Sequence, residues 1–294
     1  MSCNETYRVV HETRYTYSDK VTVAHQLAHL KPRNTEWQSL HSHELTITPA
    51  PVSRSESLDY FGNDVVRFEV DAPHDELVVK AESLVTVNSR SPDPTARSPS
   101  WEQALAIPGV WGDNVDLDVE QYRVATAMAP VLVESRLYAA GSFVPGRPWL
   151  EAMLDLNTRI RTEFIYDSKA TTVSTKVSEV LAHRRGVCQD FAHTMISCIR
   201  SLGLPARYVS GYVLNRRGGG GAGMVGADAS HAWVAGHCPE LGWVAFDPTN
   251  GKIADIEFVT LAWGRDYSDV APLCGVVMGA ATQELEVAVS VQPQ

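Results

Sequence analysis

A cysteine, a histidine and an aspartate on three different elements are the residues of this chain best suited to act together. The stretch Arg185-Gly186-Val187-Cys188-Gln189-Asp190-Phe191-Ala192-His193-Thr194-Met195 continues to Leu202-Gly203-Leu204-Pro205. Phe191, Met195, Cys198, Ile199 and Leu202 recur at helical spacing, which predicts a buried helix ending at Gly203 and Pro205. Cys188 then lies in the first turn, where unpaired N–H groups and the positive end of the helix dipole favour thiolate over thiol. A cysteine so placed is a candidate nucleophile. Packing is the plain alternative for Cys188, and it is the expected role of Cys198 on the same helix.

Downstream, Arg207 to Leu214 reads as a strand, Gly218 to Gly226 as a Gly-rich loop, and Ser230-His231-Ala232-Trp233-Val234-Ala235 as the opening of a second strand. A turn near Pro239-Glu240 leads into a third strand, Leu241 to Phe246, followed by Asp247-Pro248-Thr249-Asn250. In antiparallel neighbours joined by that turn, His231 near one strand's start lies beside Asp247 near the other's end. The carboxylate would fix the imidazole, and the three residues meet the nucleophile, base and orienter requirements of a thiol acyl-transfer site. The alternative for Asp247 is a turn residue before Pro248. For Asp190 and Asp228, first-turn charge and loop solvation explain as much as chemistry does. Cys188, His231, His237 and Cys238 are metal-ligating types, but with no CxxC pair or HExxH helix no metal is expected. No GxSxG, Walker A or GxGxxG context is present, and the Gly-rich stretch lacks the Lys-Ser/Thr of a phosphate loop, so it is read as a flap between strands.

These residues need a scaffold, and its period changes along the chain. Alternation at residues 6–16, 21–30, 45–48, 65–70 and 77–87, with turn signals such as Gly62-Asn63-Asp64 between, predicts a small β-sandwich. Histidines 25, 29, 41 and 43 fall on or near these strands and are expected to face solvent. Ser, Pro, Asp and Thr dominate residues 88–100, which marks a boundary between an N-terminal domain over 1–95 and a second over 96–294. Helices are predicted at 119–128, 149–164 and 177–182, with Pro148 at the start of the second. The 294 residues, 44% apolar and 20% charged, suit two globular units. A net charge of −10 with no concentrated basic run argues against nucleic acid, and no stretch nears the ~20 apolar residues of a membrane span. The five cysteines are read as thiols, and with no apolar leader visible a cytoplasmic location is the default.

Three motifs in order, Gly-Val-Cys-Gln-Asp-Phe-Ala at 186–192, Asp-Ala-Ser-His-Ala-Trp at 228–233 and Gly242-Trp243 through Phe246-Asp247-Pro248-Thr249-Asn250, resemble the bacterial transglutaminase-like superfamily. His11 to Tyr17, Lys31-Pro32-Arg33 and Phe61-Gly62-Asn63 resemble the β-sandwich preceding the core in one bacterial branch, and Gly264 to Pro272 resembles that branch's C-terminal segment. The resemblance implies an α+β fold, a papain-like core behind the sandwich. It implies Cys188 as nucleophile, His231 as general base and then acid, and Asp247 as the group orienting His231. The backbone N–H of Cys188 at the helix start is one expected oxyanion donor. Tyr166 is the candidate for the second, since related enzymes place an aromatic donor before the cysteine; a core tyrosine is its alternative. Trp233 and Trp243 are candidate aromatic walls for substrate, with structural packing an equal explanation. Some relatives need calcium, but no EF-hand-like loop occurs here and no cofactor is expected.

The expected activity is hydrolysis of amide or isopeptide bonds in a protein, peptide or small amide through an acyl-enzyme. Transfer of the acyl group to an amine uses the same intermediate. A catalytically silent peptide-binding module is the alternative of a different class. Substrate identity, oligomeric state and the role of the sandwich leave no mark in the sequence.

Overall fold

Period-two burial runs through most of the first 88 residues. The computed structural model describes residues 4–90, 92, 97–105, 116–214, 224–225 and 230–294; Cys3, Asp228 and most of Gly218 to Gly226 lie outside the described residues. β1 (Asn4–Val21) buries every second side chain from Tyr7 to Tyr17, and β6 (His74–Asn88) does so from Leu77 to Val87. Between them come β2 (Val23–Ala28), β3 (Gln38–Thr48), β4 (Ser53–Leu58) and β5 (Asp64–Val70). β4 is exposed at every position, so its sequence carries no alternation; antiparallel pairing with β5 alone makes it a strand.

The second unit contains α1 (Trp101–Leu105), α2 (Leu117–Glu120), α3 (Val133–Ala140), α4 (Trp149–Glu163), β7 (Ile165–Tyr166), α5 (Val177–His183), β8 (Arg185–Gly186) and α6 (Cys188–Ser201). It continues with β9 (Ala206–Val213), β10 (His231–Cys238), β11 (Gly242–Asp247), β12 (Lys252–Ile253) and β13 (Phe258–Gly264). The helix expected over 119–128 is a single α-turn, α2, followed by a 3-10 turn at 121–123. Only Val119 and Tyr122 are buried in these two turns, too little apolar surface to offset the cost of nucleating a longer helix. α4 and α5 form where helices are predicted.

The central sheet has the order β12-β11-β10-β9-β13. One face, with Tyr208, Val234 and Phe246, shares a core with Met153 of α4 and Phe191 and Met195 of α6. Val209, Trp233, Ala235 and Phe258 form a smaller cluster apart from it. β9 is buried at every position, as expected for a strand covered on both sides. No helix among the described residues is long and apolar enough to cross a membrane.

The chain's last strands do not extend this core. β14 (Leu273–Met278) pairs with β2 and β15 (Gln283–Pro293) with β1, giving the sandwich sheets β15-β1-β6-β3 and β14-β2-β5-β4. The boundary read at residue 95 thus divides the chain but not the sheets: the C-terminal strands, expected as an extension of the core, satisfy the otherwise open edges of β1 and β2.

The two units share buried polar contacts. The Gln38 amide donates to the Thr260 carbonyl at 2.7 Å and accepts from the Thr260 N–H at 2.8 Å, while Asn63 makes the same two-way bond with the backbone of Trp263 at 2.9 and 3.0 Å. Both clamp β13. His29, expected on a solvent face, is buried and bonds the Ala271 carbonyl at 3.0 Å where the chain turns back to the sandwich. His11 is buried between Tyr212 Oη at 2.8 Å and Thr13 Oγ1 at 2.9 Å. Burial lowers the His11 pKa to about 4.

In the unfolded chain the same imidazole titrates near pH 6.5. The unfolded state therefore binds more protons between these values, and stability falls as pH is lowered from 7 towards 4. Urea unfolding at pH 7.5 and pH 5.0 is expected to show the wild type losing about 2 kcal/mol more than His11→Gln over that interval. Equal losses in the two proteins would remove His11 as the cause.

Candidate active site

Cys188 is the first residue of α6, and the helix starts there because Asp190 turns back on the chain. Val187 is extended, and its N–H donates to Asp190 Oδ2 at 2.8 Å. The Thr171 hydroxyl donates to the same oxygen at 2.6 Å. Burial pushes the Asp190 carboxyl upward in pKa, against these two bonds. Gly186 makes room: a Cβ there would lie 2.6 Å from Asp190 Oδ2. Asp190 thus caps the helix that presents the thiol.

Tyr166 is held next to this helix start. β7 and β8 pair in parallel with Tyr166 opposite Gly186, and the Asp167 N–H donates to the Gly186 carbonyl at 2.9 Å. The Tyr166 ring stands edge-on to Phe191 at 6.4 Å while remaining partly exposed. Burial, then the Cys188 and Asp190 charges, push its phenol up to about 12. Tyr208 and Tyr267 also lie within the field of Cys188, and burial is the main cause of their raised pKa values.

β10 and β11 are antiparallel, with Cys238 opposite Gly242 and Val234 opposite Phe246. Continuing that register brings the end of β11 to the start of β10. There His231 Nε2–H donates to Asp247 Oδ2 at 3.0 Å, with both side chains fully buried. The other oxygen, Oδ1, accepts from the Thr249 N–H at 2.9 Å and the Asn250 N–H at 3.3 Å; the Asn250 amide donates to Oδ2 at 2.7 Å. These bonds and the imidazole hold the Asp247 pKa low in spite of burial.

Burial alone would lower the His231 pKa. The Asp247 charge and hydrogen bond, then the Cys188 thiol through hydrogen bonding and charge, raise it instead. Since Nε2 carries its proton towards Asp247, Nδ1 is the acceptor of the neutral ring; it is buried and has no hydrogen-bond partner among the described residues. A thiol proton can pass to it.

The two tryptophans read as candidate walls pack against other side chains. Trp233 is fully buried, edge-on to Phe258 at 5.3 Å and tilted over His231 at 6.2 Å, so it backs the imidazole and has no surface for substrate. Trp233 crosses β9 at Gly211, where a Cβ would meet its ring at 2.5 Å. Trp243 is the second residue of β11, four residues before Asp247 and roughly 13 Å away along the strand. It packs on Tyr122 at 5.2 Å and His237 at 5.1 Å, towards the opposite end of β11 from Asp247. Asn250 and Tyr267 are legible only as parts of motifs, and Thr171 gives no sequence signal because only folding brings it here.

A cysteine opening a helix that packs on an antiparallel sheet, with His231 beside it, is a cysteine-dependent catalytic fold. Residues 7–86 match the bacterial transglutaminase-like N-terminal region and residues 140–248 the transglutaminase-like superfamily. An uncharacterized protein of Mycobacterium tuberculosis is 40% identical over 303 residues, covering 100% of this chain and 94% of that one. A protein-glutamine gamma-glutamyltransferase of Pseudomonas aeruginosa is 39% identical over 71 residues, 22% of this chain and 10% of that one. A solved structure from Cytophaga hutchinsonii, provisionally described as a cysteine protease, has a TM-score of 0.78 at 19% identity, covers 100% of this chain and 93% of its own, and shares the fold. The chain belongs to the transglutaminase-like superfamily and carries the bacterial N-terminal region ahead of its core.

Two variants test the site's electrostatics. Asp247→Asn removes the carboxylate charge but leaves the burial, so the His231 pKa is expected to drop below its ordinary value near 6.5. A nitrogen-15 titration of the ring reads this directly, and an unshifted titration would mean that Asp247 does not set it. By the same linkage, the stability contributed by the raised His231 pKa is full below pH 6.5 and is lost as pH rises through the raised value, whereas that contributed by Asp247 is lost as pH falls through its depressed value. Asn250→Ala leaves Asp247 short of a donor and is expected to cost about 1–3 kcal/mol in chemical denaturation.

Proposed function

We propose that the protein is a cysteine-dependent amidase or peptidase, with Cys188 as nucleophile, His231 as general base and then acid, and Asp247 as the residue orienting His231. The observation that carries this reading is the buried His231–Asp247 bond, which leaves Nδ1 turned to the thiol. Nδ1 takes the thiol proton, and the sulfur attacks the carbonyl carbon of an amide. The C–N bond breaks, and the imidazolium returns its proton to the departing amine, leaving a thioester. Water then adds to the thioester carbonyl, giving its proton to Nδ1. Collapse releases the carboxylic acid and restores the thiol.

The developing oxyanion is stabilised by the Cys188 N–H at the helix start and by the Tyr166 hydroxyl. Support for Tyr166 comes from its place next to Gly186 and its electrostatic contact with Cys188. The high phenol pKa suits this role, because a neutral phenol donates a hydrogen bond and a phenolate cannot. The four described cysteines are free thiols, which supports activity in a reducing compartment such as the cytoplasm.

The Pseudomonas relative's name supports a second reading, acyl transfer to an amine, from the same thioester. Adding a primary amine separates the two: hydrolysis releases an acid, whereas transfer yields an adduct heavier by the amine. The first test needs no substrate. At pH 6, iodoacetamide is expected to modify Cys188 at least ~100-fold faster in the wild type than in His231→Ala, read by peptide mass mapping. Equal rates in both proteins would favour a silent peptide-binding module. Cys188→Ala is expected to abolish amide turnover, and full activity in that variant would end the proposal.

A further inference from the structure

Away from the thiol, the seam between the sandwich and the central sheet holds two arginines, Arg207 and Arg90, whose guanidiniums form no ion pair among the described residues, although the Arg90 backbone N–H donates to Asp255 Oδ1 at 2.9 Å. Arg207, on β9, is 7% exposed. Its guanidinium lies between two indoles, 3.8 Å from Trp263 and 4.3 Å from Trp243, and it makes no hydrogen bond or ion pair among the described residues. Its Nε is buried without a hydrogen-bond partner among the described residues. Arg90, just past β6, sits over Trp37 at 4.6 Å, with Nε and one terminal nitrogen likewise buried and unpartnered.

Burial lowers the Arg207 pKa to about 9 and the Arg90 pKa to about 10; Arg33 and Arg90 add like-charge repulsion at Arg207, while the Asp255 charge only partly offsets burial at Arg90. The indole faces orient a guanidinium, yet they leave its five N–H donors without acceptors. The chain has 35 acidic side chains, and none of those described forms an ion pair with either arginine. The acidic residue lining this seam, Glu36, is exposed and unpaired with both.

The two arginines line a cavity of about 610 Å³, together with Trp37, Trp243 and Trp263. That volume is typical of a site for a small organic molecule. We propose that this cleft binds a small organic anion, its carboxylate or phosphate group held by Arg207 and Arg90 and its body lying against Trp37 and Trp243. Two guanidiniums supply the forked donors that either oxyanion takes bidentately. Arg90 and Trp37 come from the sandwich side, Arg207 and Trp243 from the central sheet, so a bound anion bridges the two units. The site is distinct from the thiol, with Trp233 bordering the inner end of the seam and backing His231.

The experiment follows thermal unfolding and tryptophan fluorescence of the full chain during titration with inorganic phosphate or benzoate, each against sodium chloride at matched ionic strength. At least one anion is expected to raise the melting temperature and change the fluorescence saturably, while chloride does neither. A response to benzoate alone identifies a carboxylate ligand, and a response to phosphate alone a phosphate ligand. Arg207→Met is expected to weaken the responding anion's affinity at least tenfold; should that variant not fold, Arg90→Met carries the same expectation. A wild type that responds to neither anion beyond chloride overturns the proposal, as does a folded variant whose affinity is unchanged.

Discussion

The rest of the structure depends on a carboxylate held fully out of water. Asp247 keeps its charge in the interior because four donors reach it: the His231 ring, the Thr249 and Asn250 N–H groups, and the Asn250 amide. A carboxylate left with fewer partners at that depth would take up a proton and release the imidazole from its fixed orientation. The tight Asp-Pro-Thr-Asn turn exists to deliver three of those donors. Asn250 also exchanges hydrogen bonds with Val225, so the turn reaches the far end of the Gly-rich segment.

Keeping water from that pair requires cover, and the cover explains much of the remaining architecture. Trp233 and Phe258 close over His231 from behind. Phe258 belongs to β13, the strand that the sandwich clamps through Gln38 and Asn63. The sandwich is therefore part of the site's support. Its own sheets are completed by the last strands of the chain, so the beginning, the end and the catalytic core depend on one another for their edges.

The long strands β1 and β6 make this dependence physical. Tyr15 and Tyr17 pack inside the sandwich, whereas Tyr7 and Val9 on the same strand belong to the core shared with α4 and α6. At the junction His11 is kept neutral between Tyr212 and Thr13. The arginines of the seam lie along the same contact, stacked on indoles contributed by both units. Cohesion there rests on cation–π contacts and two-way amide bonds as much as on apolar area.

Much of this was legible in the sequence where local period and motif agreed. Alternation marked β1, β5 and β6; the apolar stripe and its Gly and Pro stops marked α6; and the spacing of Cys188, His231 and Asp247 marked the site. β4 and the single turn of α2 were not legible, because one is exposed throughout and the other buries too little to declare its extent. The two tryptophans show the limit most clearly. Their positions on β10 and β11 were readable, but whether an indole faces substrate, backs a histidine or stacks on an arginine depends on what packs across the sheet. The sequence by itself determined the chemistry available and the elements that carry it, since both follow from residue type and short-range period. Only the tertiary structure decided that the chain's end closes the sandwich, that Trp233 lies behind His231, and that Arg207 meets Arg90 across a cleft, because those contacts join residues far apart in the chain.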